Sequence, residues 1–166
     1  SWSKVTSGGF AIRFFQAGFI FDVAGTSLFS NTEQTLYLMA MLNSNLNQPF
    51  IKSLSPTLNF EAGQIGNMPV IFPKQESTKQ TIDSLTQECI DISKEEWDSR
   101  ETSWDFTKNE LLKHKSDSKI ETAYNNYCSY WKEKFYKLHA NEEELNRLFI
   151  DIYELGDELT PDVALK

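Results

Sequence analysis

The chain has 166 residues, of which 40% are hydrophobic and 13% aromatic, and it carries a formal net charge of −8 at pH 7. That composition excludes a wholly disordered chain and supplies the apolar side chains for a core of ordinary domain size. An acidic balance also excludes strong nucleic-acid binding by the chain alone, because neutralising phosphates supplies most non-specific affinity.

In chain order, nine of the twelve phenylalanines precede Pro73. Phe10–Phe15 and Phe19–Val23 are aromatic, β-branched runs separated by Gln16-Ala17-Gly18, a strand–turn–strand pattern in which Gly18 can adopt positive φ. Gly25 is expected to end the second strand, and Ser27–Phe29 to add a short piece of sheet. Ser30-Asn31-Thr32-Glu33 has the form of a capping box. It predicts a helix over about Thr32–Asn43, apolar nearly all round and therefore buried. A second short helix is expected over Asn45–Leu54, with Pro49 early enough to be tolerated and Pro56 as its stop. Thr57–Phe60 reads as a strand, Ala62–Asn67 as one helical turn, and Met68–Phe72 as a strand or extended exit bounded by Pro69 and Pro73.

After Pro73 the texture changes. Ile82, Leu85, Cys89 and Ile92 form the stripe of an amphipathic helix over about Gln75–Ser93. A polar connection, Glu95–Phe106, is studded by Trp97, Trp104 and Phe106, and a weaker helix covers Lys108–His114. Ser116-Asp117-Ser118 offers caps for a last helix reaching about Glu154. Its stripe runs Ile120, Tyr124, Tyr127, Trp131, Phe135, Leu138, Leu145, Phe149 and Ile152, with a weak position at Asn141/Glu142 that is expected to kink or break it. About 37 residues at ~1.5 Å each would reach ~55 Å, longer than a small domain, so the helix from Gln75 is its expected antiparallel partner. Gly156 is placed just past its end. The fold class is thus α+β, with a mixed α/β region at 1–73 and a helical region at 74–166. Lys4, Arg13 and Lys52 balance Asp22, Glu33 and Glu61 in the first region, so the whole acidic surplus falls in the second.

Motifs that carry chemistry are sparse. His114 and His139 sit in Lys-rich helical surroundings with no metal-ligand spacing, and read as solvated. Neither a G-x-S-x-G elbow nor a phosphate-binding G-x-x-x-x-G-K-S/T occurs. Carboxylate runs such as Glu142-Glu143-Glu144 and Asp157-Glu158 read as solvated helix faces. Asp22, in FIFDVAG, has a turn or edge role. Ser7-Gly8-Gly9 reads as a turn or as a close approach for an anion. Cys89 and Cys128, the only cysteines, fit idle thiols in a reducing cytoplasm. No apolar run approaches the ~20 residues of a membrane helix, and SWSKVTSGGF is not a secretory leader, so no membrane partner and a cytoplasmic location are expected. A first residue other than methionine fits a piece of a longer polypeptide. If the first region touches DNA, Lys4, Arg13 and Lys52 are its candidate contacts; the plainer reading of each is a solubilising surface charge. Trp97, Trp104 and Phe106 are candidates for a protein interface, or for pinning their connection to its own helices.

Several stretches carry a resemblance: WSKVTSGGFAIRFF, GFIFDVAGTSLF, LSPTLNFEAGQIGNMPVIFP, ECIDISKEEWDSRETSWDF and NEEELNRLFIDIYELGDELTPDV. Together they resemble the region after the catalytic domain in the BREX-type phage-defence adenine-specific DNA methyltransferases of the PglX family, which are similar to type IIG restriction–modification enzymes. The resemblance covers essentially the whole chain. LNSN through NMPVIFP is also similar to the end of target-recognition domains in restriction specificity subunits, where a proline-bounded exit leads into a long spacer helix.

The resemblance implies a target-recognition-like α/β unit followed by a long antiparallel helical spacer. It implies a parent enzyme whose catalytic domain binds S-adenosylmethionine and methylates a flipped-out adenine in double-stranded DNA. The Asn-Pro-Pro-Tyr motif and Gly-rich cofactor loop of that family are missing here; the nearest match, Asn67-Met68-Pro69, is followed by valine. No catalytic, cofactor or metal residue therefore transfers to this chain. The expected partners are DNA through the parent, the parent's catalytic domain, and other defence-system subunits. The alternative is a helical interaction module of a defence complex; a small independent enzyme built on the carboxylate runs is the third reading.

Overall fold

A computed structural model describes residues 1–7, 9–54 and 58–165, and the side chains of Gln48 and Lys52 also lie outside the described residues. Its elements are β1 (Trp2–Ser3), β2 (Gly25–Thr26), α1 (Thr32–Asn43), α2 (Asn47–Leu54), α3 (Ala62–Gly66), α4 (Glu76–Asp98), α5 (Glu110–Lys113) and α6 (Ile120–Ile152). About half of the chain is helical and the sheet has two strands, an α+β composition. Packing divides it into unit 1, Ser1–Thr86 with Glu143–Lys166, and unit 2, Gln87–Glu142. That division does not coincide with the change of composition near Pro73; α4 and α6 each give residues to both units.

In unit 1, β1 pairs antiparallel with β2, Trp2 opposite Thr26 and Ser3 opposite Gly25. Ser1 and Arg13 exchange backbone bonds of 2.8 and 2.7 Å. Further along, the Lys4 carbonyl accepts from the Phe60 amide at 2.7 Å, and Val5 bridges Asn59. One short segment thus collects backbone bonds from three others. The hairpin expected between Phe10–Phe15 and Phe19–Val23 does not form. Its turn does, at Ala17-Gly18 with Gly18 at φ 107. The reason is competition: each backbone group makes one good bond, and Arg13 spends both of its own on Ser1. The buried Trp2, whose Nε1 donates to the Phe60 carbonyl at 2.9 Å, draws that N-terminal segment inward. Gly25 lies in β2 rather than ending a strand, and Ser27–Phe29 adds no strand.

α1 starts where expected but not by a capping box. Its N-cap is Asn31 without a side-chain cap bond, and the Ser30 hydroxyl instead pairs with Thr35 Oγ1 at 2.8 Å. Tyr37, Ala40, Met41 and Leu42 are buried. Immediately after, a run of amides substitutes for sheet. Asn43 accepts from the Ile12 N–H (2.9 Å) and donates to the Ile12 carbonyl (3.0 Å), as a neighbouring strand would. Asn146 of α6 accepts from the Asn45 amide and donates to the Pro161 carbonyl, both at 3.0 Å, while Asn45 Nδ2 donates to the Thr160 carbonyl.

Met68–Phe72 is an extended exit, not a strand. Two tyrosines hold it: Tyr37 donates to the Ile71 carbonyl, and Tyr153 donates to the Pro69 carbonyl (2.7 Å) while accepting from the Ile71 N–H (3.0 Å). The Tyr37 ring lies 5.0 Å from Phe72 and 5.3 Å from Phe149. α6 ends with Glu154 at φ 56 and the Leu155 N–H on the Ile150 carbonyl, the six-to-one closure of a Schellman cap. The positive φ anticipated near Gly156 is therefore taken by Glu154.

In unit 2, α4 runs on through Trp97 to Asp98, longer than its stripe suggested, and α5 keeps four of the seven residues expected. Glu88 bonds Asn141 and Lys137, whereas Glu95 bonds Lys134 and Tyr130. Partners descend along α6 as they ascend along α4, so these stretches run in opposite directions. At Asn141 the helix does not stop: the side chain is buried and its Nδ2 donates to Glu88 at 2.7 Å, which satisfies the polar group that would otherwise resist burial. The α6 stripe buries only in part. Ile120, Tyr124 and Phe135 are exposed, while Ala123 is buried.

Candidate functional site

Arg13 is exposed, and among the described residues it makes no ion pair. It borders a depression of about 260 Å³ together with Ser1, Trp2, Thr6, Gly9 and Phe10. Lys4 lies along the same backbone segment, but its ammonium is 3.2 Å from the Glu61 carboxylate, so its charge is already matched. The side chain of Lys52, and Gly8 of the Ser7-Gly8-Gly9 turn, lie outside the described residues. The structure thus sets Arg13 across from Ser1 on the segment that carries Lys4, and among the described residues Arg13 has no acidic partner.

Asp22 takes a turn role. Its Oδ1 accepts from the amides of Ala24 (2.9 Å) and Gly25 (3.0 Å), which sets the approach to β2. The carboxylates of the C-terminal signature are in use as well: Glu143 accepts from the Val163 amide and Glu144 pairs with Arg147. Asn67, in the nearest approach to a methyltransferase tetrapeptide, caps the end of α3.

Trp97 and Trp104 are exposed, Trp104 to 94%, and Phe106 is half-buried. So exposed an indole does not pin its connection. That work falls to Asp98, which accepts from Ser103 Oγ at 2.7 Å, and to Lys94, which pairs with Asp98 and Asp105. His114 departs from its solvated reading too. It is half-buried, 3.3 Å from Glu110 and 4.8 Å from the Tyr130 ring. Glu110 also receives the Trp131 indole at 3.1 Å, so α5 is fastened to α6 by one carboxylate.

The electrostatics follow from those partners. Burial would push the Glu95 carboxyl up, but hydrogen bonds from Tyr130 and Lys134 outweigh it and hold Glu95 below the ordinary carboxylate range. The Asn141 amide and Lys137 lower Glu88 against a smaller burial effect. Burial pushes the Cys89 thiol up to about 11, away from nucleophilic use at neutral pH. Desolvation raises Tyr37 and Tyr153, which keeps both phenols able to donate.

Sequence reasoning missed an exposed aromatic ladder in unit 1. Phe19, Phe15, Phe21 and Phe29 make successive edge-to-face ring contacts at 5.3, 5.6 and 6.0 Å. The concentration of phenylalanine before Pro73 was its signal, but the hairpin reading assigned those residues to strands and left the faces of their rings unassigned.

No protein-family model matches the chain. Over 98% of its length it is 42% identical to the adenine-specific methyltransferase PglX of Lacticaseibacillus casei (strain Zhang). Over 99% of its length it is 31% identical to the adenine-specific methyltransferase BrxX of Escherichia coli O9:H4 (strain HS). It spans 14% of the length of the first relative and 13% of the second. A likeness of this strength, running over nearly the whole chain and both compact units, makes the chain homologous to a segment of the adenine-specific methyltransferases of BREX systems.

Proposed function

We propose that this chain acts as a non-catalytic target-recognition and spacer segment of an adenine-specific DNA methyltransferase, positioning DNA recognition relative to a catalytic domain outside it. One observation carries the reading: the chain aligns almost end to end with 14% of such an enzyme, yet contains neither the Asn-Pro-Pro-Tyr tetrapeptide nor a Gly-rich cofactor loop. S-adenosylmethionine binding and methyl transfer to a flipped adenine belong, on this reading, to the rest of the polypeptide. Unit 1 is the recognition-like part, with Arg13 as its foremost phosphate contact and Lys4 and Lys52 beside it in the candidate set. The long helices α4 and α6 are the spacer, since both give residues to both units. Double-stranded DNA, the catalytic domain and other defence-system subunits are the partners, in the cytoplasm. Among the described residues no helix is long and apolar enough to cross a membrane.

The test is methyl transfer from labelled S-adenosylmethionine to duplex DNA. The isolated chain is expected to give background transfer and weak, salt-sensitive DNA binding; robust methylation by the chain alone would refute the division of labour. In a full-length methyltransferase carrying this segment, Arg13→Ala should weaken DNA binding uniformly across sequences and reduce the salt slope by about 1, without altering cofactor binding. Unchanged affinity and slope would remove Arg13 from the contact set.

A second reading, a helical module that docks other defence-complex subunits, is favoured by the exposure of Trp104 and Trp97. Replacing both with Ala separates the cases. Intact folding with lost subunit binding supports a docking surface, whereas lost folding assigns the rings to the unit itself.

A further inference from the structure

The stretch from Phe14 to Phe29 is the least expected surface of unit 1. Gly18, at φ 107, turns the chain so that Phe19 and Ile20 follow directly at its exit. Ile20 is 100% exposed, Phe29 81% and Val23 74%. Behind them the edge-to-face contacts of Phe15, Phe19, Phe21 and Phe29 hold the rings as one connected ladder. Edge-to-face ring pairs gain beyond their burial, so the ladder has a defined shape even where it meets solvent. Apolar side chains exposed side by side in this way mark an interaction site.

Charge selects the class of partner. Between Phe14 and Phe29 the sole charged side chain is Asp22, and its Oδ1 is already committed to the Ala24 and Gly25 amides. Unit 1 as a whole has more Asp and Glu than Lys and Arg. Apart from Arg13 at its border, which lines the same depression as Phe15, a polyanion such as DNA or an anionic membrane surface meets no compensating charge in this stretch. A dry apolar protein face does. Length identifies the source of that face: the relatives that match this chain end to end are about seven times longer, so this segment is accompanied in them by a large excess of polypeptide.

We infer that the Phe14–Phe29 ladder is an interface with the part of a PglX-type methyltransferase that lies outside the aligned segment, with Phe19, Ile20 and Phe29 as the side chains that bury. The inference rests on that homology and not on the DNA-positioning role, and its readout is neither methylation nor DNA affinity.

The experiment compares hydroxyl-radical labelling of Phe19, Ile20 and Phe29 in the 166-residue chain with labelling in full-length L. casei PglX whose aligned segment is replaced by this chain. Labelling is expected to fall about tenfold in the longer protein without DNA, as for residues at the core of a protein interface. Equal labelling in the two proteins overturns the inference. So does a fall that appears only when duplex DNA is added, which would make the ladder a wedge between bases, or a fall in the isolated chain with rising concentration, which would make a second copy the occupant. The double substitution Ile20→Ser, Val23→Ser, which touches none of the ring contacts, gives a check independent of how the longer protein folds. The melting temperature of the isolated chain should be unchanged, because these side chains already face solvent; a marked drop there would place the ladder in the chain's own core and end the proposal.

Discussion

The largest side chains that leave solvent altogether, Tyr37, Phe149, Met41, Leu46 and Ile82, all belong to unit 1. Unit 2 joins its helices instead through Glu88, Glu95 and Glu110 and the amide, ammonium, phenol and indole groups that reach them. Among the described residues the buried polar side chains of unit 1 are Ser44, Asn47, Thr86 and Asn146, all uncharged, so they add little electrostatics of their own. In unit 2 charged and polar pairs link the helices beside a smaller set of buried apolar side chains, Ile92 and Ala123 among them. The comparison teaches that one chain can hold one unit by shape and the other by charge, and that the two should yield to different perturbations.

The sharpest way to break unit 1 is to open its core. Phe149→Ala removes a fully buried ring that lies against Tyr37, and should cost about 3–5 kcal/mol in a urea titration, with hydrogen exchange accelerating first in α1 and in residues 69–72. A cost below 1 kcal/mol would show that the site collapses easily and that the shape argument is wrong. Asn43→Ala tests the amide that substitutes for a strand. It leaves the Ile12 N–H and carbonyl without their partner and should cost about 1–3 kcal/mol, read as exposure of Ala11–Arg13 to exchange.

Acid is the corresponding lever on unit 2. Glu88, Glu95 and Asp98 are held below their unfolded pKa values, so their stabilisation is complete at neutral pH and is lost as the pH falls through about 4 and below. Glu142, raised by desolvation, opposes them. Exchange protection in unit 2 should fall in acid before protection of the α1 core does; the reverse order would contradict the assignment. The smallest effect is expected for a single partly exposed pair: Lys134→Ala, which releases Glu95, should cost less than about 1 kcal/mol at neutral pH. Because the Tyr130 bond to Glu95 remains, that substitution separates the ion pair from the phenol.

Local chemistry was legible where one residue decides the outcome. The turn at Ala17-Gly18 needs a residue that tolerates positive φ, and glycine provides it. The α1 span, the short α2 and α3 and the cap-rich Ser116–Ser118 followed from periodicity and punctuation. The Asp117 carboxylate indeed accepts from the Lys119 amide and from Thr122. The family was legible too, because it resides in the order of specific residues rather than in their composition.

Tertiary structure decided the rest, for reasons no local pattern contains. Whether Phe10–Phe15 pairs across its own turn depends on a competing partner, and Ser1, brought in by the buried Trp2, wins Arg13. Whether Asn141 breaks α6 depends on Glu88, 53 residues away. Whether an apolar stripe is core depends on what lies opposite, so Phe149 disappears from solvent while Tyr124 and Phe135 on the same helix do not. Hydrophobic pattern states which side chains would gain from burial; only the assembled chain determines which of them find a surface to be buried against.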